Sequence, residues 1–179
     1  AACLGRSFPY EVLFEACPNT WNITQALPIL EKYKLLQRRP YQNELWLEFV
    51  CIDVIRIAAS QLTESALTNI HQRFAKYYYK LNTENADKFY QLSRHLYQSN
   101  EVDKAFTCLS LTAQKVFDHY GAEATIPVLN TIMEFAHNVP DPSLYSEDIF
   151  LAVTLLIYAR HNEEALELVK HVKTYPPTD

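Results

Sequence analysis

Only two glycines, Gly5 and Gly121, occur in 179 residues. A phosphate loop of the type G-x-x-x-x-G-K or G-x-G-x-x-G needs several glycines close together, so that the backbone can approach phosphate oxygens. Neither glycine stands in such a setting, and the segment carries no recognisable nucleotide loop of its own. Tight strand-to-strand turns favour positive φ, which glycine supplies without a steric penalty. Helices joined by short polar turns make no such demand. The scarcity therefore points to a mostly helical chain.

The hydrophobic fraction of 49% and aromatic fraction of 13% can fill the cores of one large or two small domains. The longest apolar run, Phe150 to Ala159, is interrupted by Thr154 and is too short to span a bilayer. No signal-peptide pattern is visible, and no membrane insertion is expected. The chain opens Ala1-Ala2-Cys3 without methionine and reads as an interior piece of a longer protein. Cysteines stand at 3, 17, 51 and 108, with no C-x-x-C and no histidine at zinc-finger spacing. Each has apolar neighbours, so buried free thiols in a reducing, cytoplasmic setting are expected.

The net charge is -5. Residues 1–61 hold six basic and six acidic side chains, and residues 62–179 hold ten and fifteen. Binding nucleic acid independently of sequence needs a basic surface that displaces counterions, and this balance offers none.

Punctuation and periodicity divide the chain. Ala1 to Leu4 reads as a helix end capped by Gly5. Ser7 reads as an N-cap with Pro9 in the following first turn, opening a short helix with Val12, Leu13 and Ala16 inward and Pro18 as its stop. A further helix is expected over Ile23–Leu36, with Pro28 kinking it or delaying its start. The run Leu35 to Arg39 and the alternation Leu45, Leu47, Phe49 flank a polar turn and predict a small β-hairpin. Helical spacing resumes at Ile52, Ile55, Ala58, Ala59 and Leu62, then over Glu64–Leu81 with Leu67, Ile70, Phe74 and Tyr77/Tyr78 on one face. This is the layout of a winged helix, over residues 1–81.

After it, helical hairpins are expected at about 84–98, 101–118, 122–137, 144–160 and 162–173, forming a TPR-like second part over residues 84–179. The segment beginning Leu96-Tyr97 echoes that beginning Ile157-Tyr158, about 60 residues on, and alanine follows each, at Ala105 and Ala165.

The opening Ala1-Ala2-Cys3-Leu4-Gly5-Arg6-Ser7-Phe8 resembles the segment that follows the ATPase core in STAND-class signalling NTPases. Leu47-Glu48-Phe49 with Val54-Ile55-Arg56-Ile57-Ala58-Ala59, and Leu67 with Ile70-His71 through Tyr78, are similar to that class's next strand and helices. The stretch Gly5 to Asn22 most resembles soluble adenylyl cyclases (the adenylate cyclase type 10 family). Val50 and Cys51 stand where the class carries a histidine. The resemblance implies a non-catalytic coupling segment. The parent would form cyclic AMP from ATP with a divalent metal, and both ligands would bind in other domains, with no cofactor here. The winged helix would dock on an upstream ATPase core of the same chain, and the hairpins would hold a protein partner. A TPR-type adaptor that binds proteins and never meets nucleotide is the alternative.

Lys32, Lys34, Arg38 and Arg39 cluster between the helix at 23–36 and the hairpin. They are the candidate interdomain contact. No catalytic, cofactor-binding or metal-ligating residue is identified. His95, His119, His137, His161 and His171 share no i, i+4 spacing for a helical metal pair. His71 reads as a structural residue, and His161 and His171 as helix-end caps. Glu147-Asp148 and Glu163-Glu164 fit helix starts, where negative charge complements the dipole.

Overall fold

The computed structural model describes residues 6–16, 23–41, 44–81 and 86–173. The expected helix at Ala1–Leu4 with its Gly5 cap, the stop at Pro18 and the centre of the hairpin turn lie outside them. The chain forms two compact units, Ala1–Leu81 and Asn82–Asp179. It is mostly α, with a winged-helix-like first unit followed by TPR-like helical hairpins.

In the first unit the order is β1 (Ser7–Pro9), α1 (Tyr10–Ala16), α2 (Ile23–Lys32), β2 (Leu36–Tyr41), β3 (Glu44–Phe49), α3 (Ile52–Ser60) and α4 (Glu64–Lys80). The expected hairpin is present as β2 and β3, paired antiparallel from Leu36↔Phe49 to Tyr41↔Glu44. The sheet has three strands in the order β1-β3-β2. Strand alternation turns Leu47 and Phe49 inward, where both are buried with Phe8, Val12, Leu13, Leu27 and Leu36. The Phe8 and Phe49 rings lie 6.1 Å apart. Helix α1 packs on β3 and on α4. On α4 the stripe ends in the buried Phe74 and Tyr78, while Tyr79 points outward at 78% exposure.

Three expectations are corrected here. Ser7 and Pro9 do not open a helix. They form β1, an edge strand paired Ser7↔Glu48, Phe8↔Leu47 and Pro9↔Trp46. Proline is tolerated on an edge, and the pairing lets Phe8 fill the core beside Leu47. Pro28 lies inside α2 without delaying its start at Ile23. The helix stops at Lys32 rather than Leu36, because the backbone turns left-handed at Lys34 (φ 55). The Lys34 N–H then donates to Glu31 C=O and the Leu35 N–H to Leu30 C=O, a Schellman closure that frees Leu36 to enter β2.

The second unit runs α5 (Ala86–Gln98), α6 (Val102–Tyr120), α7 (Ala122–Asn138), a 3-10 turn (Pro142–Tyr145), α8 (Ser146–Tyr158) and α9 (Asn162–Lys173). Consecutive helices pack as hairpins, and α6 also meets α8, as α7 meets α9. Helix α8 starts two residues later than the spacing suggests, because Asp141 caps the 3-10 turn by accepting from the Ser143 N–H at 3.0 Å. Aromatic rings knit the stack. Tyr97 lies flat on Phe135 (3.8 Å), Phe135 meets Phe106 edge-on (6.2 Å), and Phe106 lies flat on Tyr145 (4.2 Å).

The internal echo has a structural register. Asn100 (φ 66) and Arg160 (φ 64) are both left-handed. The Glu101 N–H reaches Leu96 C=O and the His161 N–H reaches Leu156 C=O, each at 2.9 Å. Ala105 and Ala165 follow as buried contacts. These two joints, like that at Lys34, use a non-glycine residue where glycine is the usual choice, so a chain so poor in glycine can still end its helices sharply.

Candidate interaction surface

The four basic residues marked out by the sequence do not converge. Arg38 and Arg39 are successive residues of β2, so their side chains leave opposite faces of the sheet. The Arg38 Nε donates to Glu31 Oε1 at 2.5 Å, and its guanidinium sits 5.7 Å from the centre of the Tyr10 ring. This joins β2 to the last turn of α2 and the start of α1. The Glu31 hydrogen bond, with the charge behind it, pushes the Arg38 pKa up. Arg39 turns to the outer face, where its Nε lies 2.5 Å from Glu48 Oε2. Glu48 also meets Arg6 at 3.5 Å and accepts from Gln37 Nε2 at 2.9 Å. Both arginines therefore brace the unit. Lys32 and Lys34 are exposed and make no side-chain ion pair among the described residues.

The turn at Lys34 adjoins a different feature. The Val50 N–H donates to Leu35 C=O at 3.1 Å, which ties the Lys34–Leu35 turn to the joint leading into α3. Helix α3 has the sequence Ile52-Asp53-Val54-Ile55-Arg56-Ile57-Ala58-Ala59-Ser60, six of nine residues apolar, and none of them is buried. Ile52 is 56% and Ile57 64% exposed, with Val50 and Leu62 also exposed at either end. A helix of this composition normally hides one face against a core. Here Val54, Ile55 and Ala59 are half-buried, while Ile52, Ile57 and Ala58 lie open.

The thiols depart from expectation. Cys51 is exposed, at the joint before α3, a helix with no fully buried residue. Cys108 is partly buried, and burial pushes its thiol pKa up, away from reactivity. Cys3 and Cys17 lie outside the described residues.

Among the histidines, His161 stands just before α9 with its Nδ1 3.0 Å from Glu164 Oε1, a side-chain hydrogen bond that lowers the Glu164 pKa. His171 reaches across to α7. Its Nε2 donates to Ala136 C=O on α7 at 3.2 Å, and its ring stacks on His137 at 4.3 Å. His137 donates from Nδ1 to Met133 C=O at 2.7 Å, which turns Nε2 toward Glu167 at 3.8 Å. Folding thus pairs two histidines that no short spacing links. Among the described residues no three His, Cys, Asp or Glu side chains converge to hold a metal ion. No helix among them is long and apolar enough to cross a membrane.

No protein-family model, curated protein or solved structure matches this chain. The open face of α3 was present in the sequence as helical spacing from Ile52 to Leu62. Spacing shows that a helix has an apolar side, but not whether anything covers it.

Proposed function

We propose that this chain is a non-catalytic coupling segment of a larger ATP-dependent signalling protein resembling the soluble adenylyl cyclases. The winged-helix-like unit docks through α3 on an ATPase core of the same polypeptide, and the helical hairpins hold a protein partner. The parent forms cyclic AMP from ATP in other domains, in the cytoplasm. The observation that carries this reading is the exposure of Ile52 and Ile57 on α3, whose leading joint is tied to the turn at Lys34. Apolar centres with polar rims are the build of docking surfaces. Fully burying an isoleucine side chain contributes roughly 1.5–3 kcal/mol. Ile52 and Ile57 are each more than half exposed, so covering both adds about 2–3 kcal/mol to docking. The exposed Lys34 then selects a partner rim carrying acidic residues.

Amide hydrogen exchange on residues 52–60 tests this, measured in the 179-residue chain and in the intact polypeptide that contains it. Slower exchange in the intact protein is expected, together with reduced cyclic AMP output from Ile52→Asp/Ile57→Asp at unchanged folding of the segment. Equal exchange in both, with unaltered output, refutes the docking role. The adaptor reading draws on a separate observation, the exposed Phe150, Ile157 and Tyr158 of α8. It gains if a protein partner binds the hairpins while the α3 variants change nothing.

A further inference from the structure

The echo between the joints at Asn100 and Arg160 extends along the helices on either side. Matching these two left-handed residues lays α5 and α6 on α8 and α9. Burial follows that register. Leu92, Leu96 and Ala105 are buried, and so are their counterparts Ala152, Leu156 and Ala165. Gln98 and Thr107 are exposed, as are Tyr158 and Glu167. The match breaks where α7 covers the first pair. Tyr90 shares a hydrogen bond with Thr131 of α7 at 2.9 Å, Tyr97 lies flat on Phe135, and Phe106 meets Phe135 edge-on. The counterparts of these three aromatic residues are Phe150, Ile157 and Leu166, and they are 72%, 54% and 53% exposed. Between the first two, Val153 is half-exposed where its counterpart Ser93 is fully buried.

We propose that Phe150, Ile157 and Leu166 form the seat of a helix equivalent to α7, supplied by the same polypeptide beyond α9. The repeat itself selects this occupant. A helical repeat buries its apolar face against its neighbour in the stack, so equivalent positions take equivalent cover. Helix α7 follows α6 directly, joined at Gly121. Its equivalent therefore follows α9 on the same chain. The differences between the two copies state what that helix carries. Tyr90 presents a hydroxyl, and Thr131 answers it. Phe150 presents none, so the seated helix bears an apolar residue where α7 has Thr131. One turn on, where α7 has Phe135, it bears a second apolar residue against Ile157 and Leu166. The inference takes from the reading above only that the segment belongs to a longer polypeptide. It needs neither the α3 surface nor cyclase chemistry.

A benzophenone amino acid in place of Phe150, in the intact polypeptide, identifies the occupant by photo-cross-linking and mass spectrometry. Tyr90 and Thr131 stand 41 residues apart. The cross-link is therefore expected on the same chain, at a similar distance beyond residue 150. Amide exchange from α8 should be about tenfold slower in the intact polypeptide than in the 179-residue chain, because a covered helix opens less often. Phe150→Asp with Ile157→Asp should abolish that difference. Both side chains are exposed, so the shorter chain should keep its fold, which circular dichroism checks. The proposal is overturned if no cross-link forms, or if it falls on a second copy, on a different protein or on an unrelated part of the chain. Equal exchange in the two forms overturns it as well, as does an intact polypeptide too short to reach that distance. Exchange at residues 52–60 reports on α3 separately, so the failure of one proposal is told from the failure of the other.

Discussion

Removing the Phe106 ring tests how the second unit is held together. The side chain is fully buried, flat against Tyr145 at 4.2 Å and edge-on to Phe135 at 6.2 Å. Phe135 in turn lies on Tyr97 at 3.8 Å. The ring therefore links α6 to α7 and to the 3-10 turn, and through Phe135 to α5. Phe106→Ala should cost about 3–5 kcal/mol, the range for emptying an aromatic core site. Small domains have only about 5–15 kcal/mol of stability, so the unit would stay folded with little margin. Phe106→Leu keeps most of the apolar volume but loses two ring pairs, each worth about 0.5–1.5 kcal/mol, for a total of about 1–3 kcal/mol. With a urea slope of about 1–3 kcal/mol per molar, the leucine variant should move the midpoint by roughly 1 M. Native-state hydrogen exchange on α6 and α7 assigns the loss to this unit. A double-mutant cycle with Tyr145→Leu should return a coupling of about 0.5–1.5 kcal/mol. A coupling of zero, or an unchanged midpoint for the alanine variant, would refute the aromatic chain as a stabilising element.

Phe74→Ala should cost about 3–5 kcal/mol in the first unit, where the ring is 1% exposed; an unchanged denaturant midpoint would contradict this. Gly121→Ala meets no neighbouring atom, yet φ of 84 with ψ of -179 is a region essentially reserved for glycine. It should lower stability by about 1–3 kcal/mol through backbone strain alone, and a neutral melting temperature counts against that. Burial holds the Tyr78 hydroxyl pKa above its ordinary value of 10.0. A phenol whose folded pKa is raised lends stability that is complete below its unfolded pKa and is lost as pH rises beyond it. Tyr78→Phe should therefore flatten the fall in stability above about pH 10, and a profile as steep as that of the wild type excludes the cause.

Much of this protein could be read along the chain. Period-3.6 spacing located α3 to α9, and the strict alternation of Leu45, Leu47 and Phe49 located the hairpin, because both patterns record a local helix or strand wound against a core. The echo of Leu96-Tyr97 at Ile157-Tyr158 was visible as residue similarity, and the backbone set its register one residue over, matching Asn100 to Arg160. Other features required the chain to meet itself. Ser7-Phe8-Pro9 is equally compatible with a helix start and an edge strand until β3 arrives to pair with it. Arg38 and Arg39 share a sequence neighbourhood, yet Glu31 and Glu48 hold them on opposite faces of β2. His137 and His171 meet only because α9 folds back on α7. Sequence spacing assigns a side chain to a face, since that depends on backbone geometry over a few residues. What covers the face depends on contacts between distant segments, which is why the open surfaces of α3 and α8 emerged only from the tertiary structure.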